Sequence, residues 1–268
     1  MTAAEALRGA VARLAAVSDT PRLDAELLMA HALGMTREAL LLGGGAAGAP
    51  PVFDELVVRR LAHEPIAYIT GRKAFWTIEL AVTPAALIPR PDSETLIEAA
   101  IAHFGADGPN RILDLGTGSG ALLLAALAQW PEARGVGVDM STAALEVARA
   151  NAGRLGLTDR AIFEHGGWRG DSLAELVLCN PPYVATGEAL PLEVVGHEPH
   201  AALYAGPDGL DDYARLAPVL DFAAGGIACI EIGATQARAA GALFRARGFH
   251  VRVVRDLGGR DRCLALSR

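Results

Sequence analysis

From residue 111 onward, short apolar runs alternate with longer stretches of helical periodicity, and this alternation narrows the fold more than any other feature. Strands are expected near 111–115, 134–139, 161–164, 174–179, 226–232, 249–254 and 262–267, with helices over 120–129, 141–155, 209–222 and 234–246. The run Ala174–Cys179 is apolar at nearly every position, as a strand is when helices cover both sheet faces. A doubly wound α/β fold with a mainly parallel sheet follows. Only Gly258-Gly259-Arg260-Asp261 separates the last two strands. That is too short for a parallel crossover, so one strand there must run antiparallel.

Upstream the pattern differs. Residues 1–64 read as a small helical bundle: a first helix with Leu7, Val11 and Leu14 on one stripe, and a second through Asp24–Met29 ending at Gly34. A third starts at Thr36 and is closed by Gly43-Gly44-Gly45, and a fourth follows Pro50-Pro51. Within 65–87, the runs Ile66–Ile69, Phe75–Ile78 and Leu80–Val82 alternate in the manner of strands, with Gly71 as a turn, so a β-hairpin connector is expected. The remainder, 88–268, forms the α/β domain and opens with a helix over 93–104 that Asp92 or Ser93 can cap.

Two motifs lie where strands end. Asp114-Leu115-Gly116-Thr117-Gly118-Ser119-Gly120 closes the first strand of the sheet and opens its first helix, and glycines there permit tight turning and close approach of a ligand. Asp139, ending the next strand, can accept from ribose hydroxyls. Gly116-x-Gly118-x-x-Ala121 also matches a dinucleotide fingerprint, so a nicotinamide enzyme is a competing reading. The acidic Asp114 just before the loop suits a cationic methionine group better than a pyrophosphate.

The second motif, Asn180-Pro181-Pro182-Tyr183, follows the apolar run 174–179. In isolation it also reads as an ordinary loop. At the carboxyl end of a sheet strand, however, it has a chemical use. Pro182 biases Pro181 toward extended backbone, and neither proline carries an N–H. The Asn180 side-chain oxygen and the Pro181 carbonyl are then two fixed acceptors, matched to the two hydrogens of a planar NH2 group. Tyr183 supplies an aromatic face. Nothing in hydride transfer calls for this tetrad, which favours S-adenosylmethionine over a nicotinamide.

Composition excludes several classes. Of 268 residues, 51% are hydrophobic and 21% charged, as in a folded globular protein. A net charge of −7 argues against loose nucleic-acid binding by bulk charge. Cys179, Cys229 and Cys263 fall inside expected strands without C-x-x-C spacing, consistent with a reducing compartment. No signal pattern and no uncharged apolar stretch of membrane-spanning length occurs, so a cytoplasmic protein is expected.

With both motifs in place, the chain resembles the HemK/PrmC family, the release factor glutamine N5-methyltransferases. The resemblance runs along nearly the whole sequence. It includes Asp24–Leu28, Glu64-Pro65 through Gly71, Ile88-Pro89-Arg90-Pro91-Asp92-Ser93-Glu94, Glu198-Pro199, Gly206–Asp211 and Asp256–Arg262. It implies a class I S-adenosylmethionine-dependent methyltransferase fold, Rossmann-like with a seven-stranded sheet, and an N-terminal domain that recognises substrate. The implied substrate is the glutamine of the Gly-Gly-Gln loop in class 1 peptide release factors. Cofactor contacts carry over to Gly116, Thr117, Gly118, Ser119, Gly120, Asp139, Trp168 and Asn180, and substrate contacts to Asn180, Pro181, Pro182 and Tyr183. One departure is Gly167, where the family usually has an Asp before the aromatic. Glu164, His165 and Asp171 are the nearby candidates to replace it.

The alternative is an amino-methyltransferase acting on a ribosomal protein glutamine or a nucleic-acid base, with a nicotinamide enzyme or a non-catalytic binding module on this fold further behind. No activating base is evident, and catalysis is expected from alignment by Asn180, Pro181 and Tyr183. Positioning of that kind supplies roughly 7–11 kcal/mol of a barrier in favourable cases. No metal site is expected: His197-Glu198-Pro199-His200 is not an H-E-x-x-H pair. Ser119 lacks the context of a nucleophile elbow. Arg90 faces the site or pairs with Glu94, and Arg59-Arg60 and Arg72-Lys73 read as solvated faces.

Overall fold

A capping box opens the chain: Glu5 N–H donates to Thr2 Oγ1 at 3.3 Å, and the Glu5 carboxylate accepts from Thr2 N–H at 2.8 Å. The computed structural model describes residues 1–43 and 48–268. The chain divides into two units, Met1–Arg72 with Leu190–Glu198, and Lys73–Ala189 with Pro199–Arg268.

The first unit contains α1 (Ala3–Leu14), α2 (Pro21–Leu33), α3 (Arg37–Leu42), α4 (Val52–Leu61) and α5 (Ile66–Thr70). Gly34 ends α2 in the left-handed region at φ 66°, and Gly43 follows α3; Gly44 and Gly45 of the expected closing triplet lie outside the described residues. Leu14, Leu28, Met29 and Val57 form the fully buried centre. The strand expected at 66–69 is instead helical. Pro65 presets the first turn, its carbonyl accepts from both Tyr68 and Ile69 N–H, and Gly71 at φ 71° stops the helix. Burial of Ile69 in the bundle core outweighs its strand preference.

Arg60 is a second correction. It is buried, not solvated, with Nε donating to Asp24 Oδ2 at 2.8 Å and Nη1 paired with Glu193 Oε2 at 2.7 Å. Its neighbour Arg59 is partly exposed and paired with Glu64. The segment Leu190–Glu198 thus leaves the chain's second unit and joins the first, with His197 Nε2 also 3.3 Å from the Ala62 carbonyl.

From Arg72, the last residue of the stretch Met1–Arg72, β1 (Arg72–Phe75) and β2 (Ile78–Ala81) form the hairpin. Its turn residue Trp76 has φ 52° and is held by Glu94 Oε1, which accepts the Trp76 N–H at 2.8 Å. Next come α6 (Glu94–Phe104), β3 (Arg111–Leu115), α7 (Ala121–Gln129), β4 (Arg134–Asp139), α8 (Thr142–Arg154), β5 (Ala161–His165) and β6 (Leu176–Cys179). After α9 (Leu192–His197) follow α10 (Asp211–Leu216), β7 (Ile227–Glu231), α11 (Ala237–Arg245), β8 (His250–Arg255) and β9 (Asp261–Ser267). Helix α10 is shorter than the expected 209–222 because Pro218 lacks an N–H and disfavours helix at Ala217.

The seven-stranded sheet has the order β5-β4-β3-β6-β7-β9-β8, with β9 antiparallel to both neighbours. One apolar layer, including Leu96, Ile97, Leu123 and Leu124, covers one face; another, including Tyr213, Leu216 and Phe244, covers the other. Register decides the site. Leu115 pairs with Cys179, and Cys179 with Ile230. Residues 116, 180 and 231 therefore emerge side by side at the carboxyl edge, where open α/β sheets bind ligands.

Candidate active site

The glycine loop is folded onto β4. Gly116 and Thr117 N–H both donate to the Val138 carbonyl, at 2.8 and 3.0 Å. Gly116, Gly118 and Gly120 have φ of 69°, 56° and 82°, values that side chains make costly. A Cβ on Gly116 would lie 3.3 Å from Trp168 Cη2 and 3.8 Å from the Asn180 carbonyl oxygen, whereas beside Gly118 nothing comes nearer than 4.0 Å. The loop is walled on one side and open on the other. Asp139 binds it from β4: Oδ2 accepts Gly118 N–H at 2.9 Å and Oδ1 accepts Ser141 N–H at 2.8 Å. Ser119 is buried, and its carbonyl accepts from Asn151.

Asp114 lies beneath this loop, fully buried. Its Oδ2 accepts from Thr117 Oγ1 at 2.6 Å and from Leu123 N–H at 3.3 Å, and Oδ1 has no partner. Burial pushes its carboxyl up to about 7, against the Thr117 and Leu123 hydrogen bonds that favour the charged form. It braces the loop from inside the protein and offers no surface to a ligand.

Asn180 and Pro181 follow β6. Asn180 Nδ2 donates to Ser93 Oγ at 3.3 Å, which turns the amide oxygen away from Ser93. Ser93 does not cap α6 as expected from the sequence, nor does Asp92, which pairs with Arg262 at 3.1 Å. Tyr183 is fixed at both ends. Its hydroxyl donates to Glu231 Oε1 at 3.2 Å, and its carbonyl accepts from Gln236 Nε2 at 2.9 Å. Gln236 Nε2 also reaches the Gly209 carbonyl at 3.2 Å, and Gly209 passes so close to Tyr183 that a Cβ there would meet its carbonyl oxygen at 2.3 Å. The Gly206–Asp211 segment thus backs the tetrad.

Glu231 is the residue that sequence inspection missed. It is fully buried at the end of an otherwise apolar strand, and an acid closing such a run is its one signal in the sequence. Burial pushes its carboxyl up to about 7, while Ser93, Arg262 and Tyr183 favour its charged form. Burial and the neighbouring Glu231 in turn push the Tyr183 hydroxyl well above its ordinary range. Arg90 lies near enough to Tyr183 to oppose that shift, and Glu94 is committed to Trp76.

The cofactor residues named from the sequence gather around the loop. Trp168 covers Gly116, its Nε1 donating to Asp212 Oδ1 at 3.1 Å. The three candidates to replace the Asp missing at Gly167 are engaged elsewhere. Glu164 pairs with Arg169 at 2.8 Å, His165 Nε2 lies 3.0 Å from the Met140 carbonyl, and Asp171 Oδ1 accepts from Leu173 N–H. Exposed Met140, 3.9 Å from a Cβ built on Gly167, lines that side instead. The site fits S-adenosylmethionine. It offers an open glycine loop, a carboxylate at the end of β4 and an aromatic wall. Among the described residues no cluster of His, Cys, Asp or Glu is arranged for a metal ion.

Comparison with known proteins supports the same reading. The family model for the PrmC N-terminal domain matches residues 5–71, and one for a methyltransferase domain matches 107–170. The release factor glutamine methyltransferase of Caulobacter vibrioides is 42% identical over 91% of this chain and 88% of its own. That of Moorella thermoacetica is 41% identical over 100% and 99%. A methyltransferase from Pyrococcus furiosus, 17% identical, superposes with a TM-score of 0.52 over 78% of this chain and 95% of its own, a likeness of fold. The sheet and its flanking helices are a class I methyltransferase fold, and the chain belongs to the release factor glutamine methyltransferase family.

Proposed function

We propose that this protein transfers a methyl group from S-adenosyl-L-methionine to the side-chain amide nitrogen of the glutamine in the Gly-Gly-Gln loop of class 1 peptide release factors. The observation that carries the reading is the Asn180 amide. Its nitrogen is tied to Ser93, so its oxygen is left to accept a hydrogen at the edge of the sheet, beside the glycine loop.

S-adenosylmethionine supplies an electrophilic methyl group on a cationic sulfur. Gly116 to Gly120 and Asp139 bind it, with Thr117 and Ser119 shaping the loop and Trp168 closing the side next to Gly116. A carboxamide nitrogen is a poor nucleophile because its lone pair is delocalised into the carbonyl. Asn180 Oδ1 and the Pro181 carbonyl accept its two hydrogens, raise electron density on nitrogen and fix its approach. Pro182 holds the backbone of Pro181 extended. Tyr183, tethered through Glu231 and Gln236, gives the amide plane a rigid face. The helical bundle within residues 1–64 grips the release factor away from the loop.

The reaction belongs to the cytoplasm, where release factors act, and requires no stable contact with nucleic acid; the net charge of −7 supports that. Among the described residues no helix is long and apolar enough to cross a membrane. Intact mass of a purified release factor after incubation with the enzyme and S-adenosylmethionine tests the proposal. One added methyl is expected, and none when the loop glutamine is replaced. Methylation of a ribosomal protein or a nucleic-acid base, with the release factor unchanged, would refute it.

A further inference from the structure

Trp168 sits among glycines, in Gly166-Gly167-Trp168-Arg169-Gly170, so the local backbone does little to dictate where the indole points. The segment is clamped at its ends. Gly166 N–H donates to the Asp139 carbonyl at 3.0 Å, and Asp171 N–H to the Asp221 carbonyl at 3.1 Å. Gly170 packs so closely there that a Cβ would meet Asp221 Cβ at 2.5 Å. At Gly167, by contrast, the nearest atom to a Cβ is Met140 Sδ at 3.9 Å. Between the clamps the indole is held by its own nitrogen, Nε1 donating to Asp212 Oδ1 at 3.1 Å.

Asp212 lies in the first turn of α10 and is only 8% exposed. A carboxylate so buried needs donors. Its Oδ1 accepts from the indole and from Arg215 Nη1 at 3.3 Å, and the Arg215 side chain is 67% exposed. Nε1 and the Cζ3–Cη2 edge lie toward opposite ends of the indole. Fixing the nitrogen on α10 sends that edge over the glycine loop, with Cη2 and Cζ3 at 3.3 and 3.5 Å from a Cβ built on Gly116. Rotation about χ2 breaks the hydrogen bond and swings the edge off the loop.

We propose that Asp212 is a positioning residue for the cofactor site, holding Trp168 by its indole N–H as the wall beside Gly116. The inference rests on the placement of S-adenosylmethionine against that wall proposed above. Asp212 is remote from the substrate amide held by Asn180 and Pro181, so its effect falls on cofactor affinity and spares the chemical step. It acts through an oxygen acceptor at one place, and the exposed Arg215 pair contributes little.

Calorimetry with S-adenosylmethionine on the full chain tests this. Asp212→Ala is expected to raise Kd about 10-fold, with kcat at saturating cofactor and the release-factor KM little changed. Asp212→Asn keeps an oxygen at that place and restores most of the affinity, while Arg215→Ala binds as wild type does. In a Trp168→Phe background, which has no N–H to hold, Asp212→Ala is expected to add nothing. The Trp168 component of fluorescence, isolated by difference from Trp168→Phe, shifts to the red in Asp212→Ala as the indole is released toward water. A wild-type Kd and emission in Asp212→Ala would overturn the inference. So would an equal loss in Arg215→Ala, or a loss that persists undiminished in the Trp168→Phe background. The wild-type protein gives a reading that needs no buried substitution: the Trp168 indole N–H resonance is expected to exchange slowly with water, and fast exchange would overturn the tether even if Asp212→Ala does not fold. Trp168→Ala separates the two readings. An unchanged Kd there would refute the placement of the cofactor against Trp168, whereas a weakened Kd there with an unaffected Asp212→Ala refutes only the role of Asp212.

Discussion

Asn151 and Ala81 exchange two hydrogen bonds: Ala81 N–H donates to Asn151 Oδ1 at 2.7 Å, and Asn151 Nδ2 donates back to the Ala81 carbonyl at 3.0 Å. The same nitrogen reaches the Ser119 carbonyl at 2.9 Å. One buried amide on α8 thus stitches the hairpin strand β2 to the glycine loop. Asn151→Ala leaves three backbone groups without their partner. A loss of about 2–4 kcal/mol in urea unfolding is expected, with weaker S-adenosylmethionine binding. Unfolding at the wild-type midpoint would show that the stitch carries no stability.

Gly137 in β4 touches the same loop from below. A Cβ there would sit 2.7 Å from Thr117 Oγ1 and 2.8 Å from Phe163 Cδ1. Gly137→Ala must push Thr117 off Asp114, and is expected to cost about 1–3 kcal/mol and to raise the cofactor Kd in calorimetry. Gly153→Ala on α8 has open space around it and serves as the control.

Asp114 makes stability depend on pH. Its folded value of about 7 stands above its ordinary 3.8, so the folded state holds the proton more tightly than the unfolded state. Its contribution is fully present below about pH 4 and is lost as pH rises through about 7. Asp114→Asn removes this dependence. The stability difference between the variant and wild type, measured by denaturant unfolding, is expected to shift in favour of the variant from pH 4 to 7 and then level off. A flat difference across that range would mean that Asp114 is charged throughout.

The tie from Arg60 to Asp24 and Glu193 is the corresponding liability of the helical unit. Arg60→Ala strands a buried carboxylate on α2 and is expected to destabilise that unit by about 3–5 kcal/mol. Faster proteolysis within 190–198 should accompany it, since Glu193 loses its anchor. Glu193→Gln keeps a hydrogen-bond acceptor, and a much smaller effect is expected from it.

Asn180 and Asp139 should separate in kinetics. Asn180→Ala is expected to abolish turnover with cofactor affinity largely intact, because its side chain serves the substrate amide. Asp139→Ala removes an acceptor shared by Gly118 and Ser141 N–H, and should weaken cofactor binding about 10-fold or more. Calorimetry beside single-turnover rates distinguishes the two. A near-normal rate in Asn180→Ala would end its assigned role.

Much of this molecule is legible in local sequence because local forces decide it. The apolar runs at 111–115, 134–139 and 176–179 can be buried only as inner strands, and the five residues between Arg255 and Asp261 leave room only for an antiparallel return. The glycines at 116, 118 and 120 and the Asn-Pro-Pro-Tyr tetrad announce themselves through backbone conformations and acceptor chemistry that few other residues offer.

Tertiary structure decided the rest, because these features depend on partners far along the chain. Ile66–Thr70 has the composition of a strand but turns helical when Ile69 enters the bundle core. Ser93 looks like a helix cap until Asn180, 87 positions away, takes its oxygen. Glu231 reads as the polar end of a strand, yet register sets it beside Asn180 with its carboxyl sealed from water. Periodicity and turn chemistry are properties of neighbours in sequence and fix the frame. The donor and acceptor pattern of a buried site is a property of neighbours in space, and it exists only once the sheet has brought residues 93, 180 and 231 together.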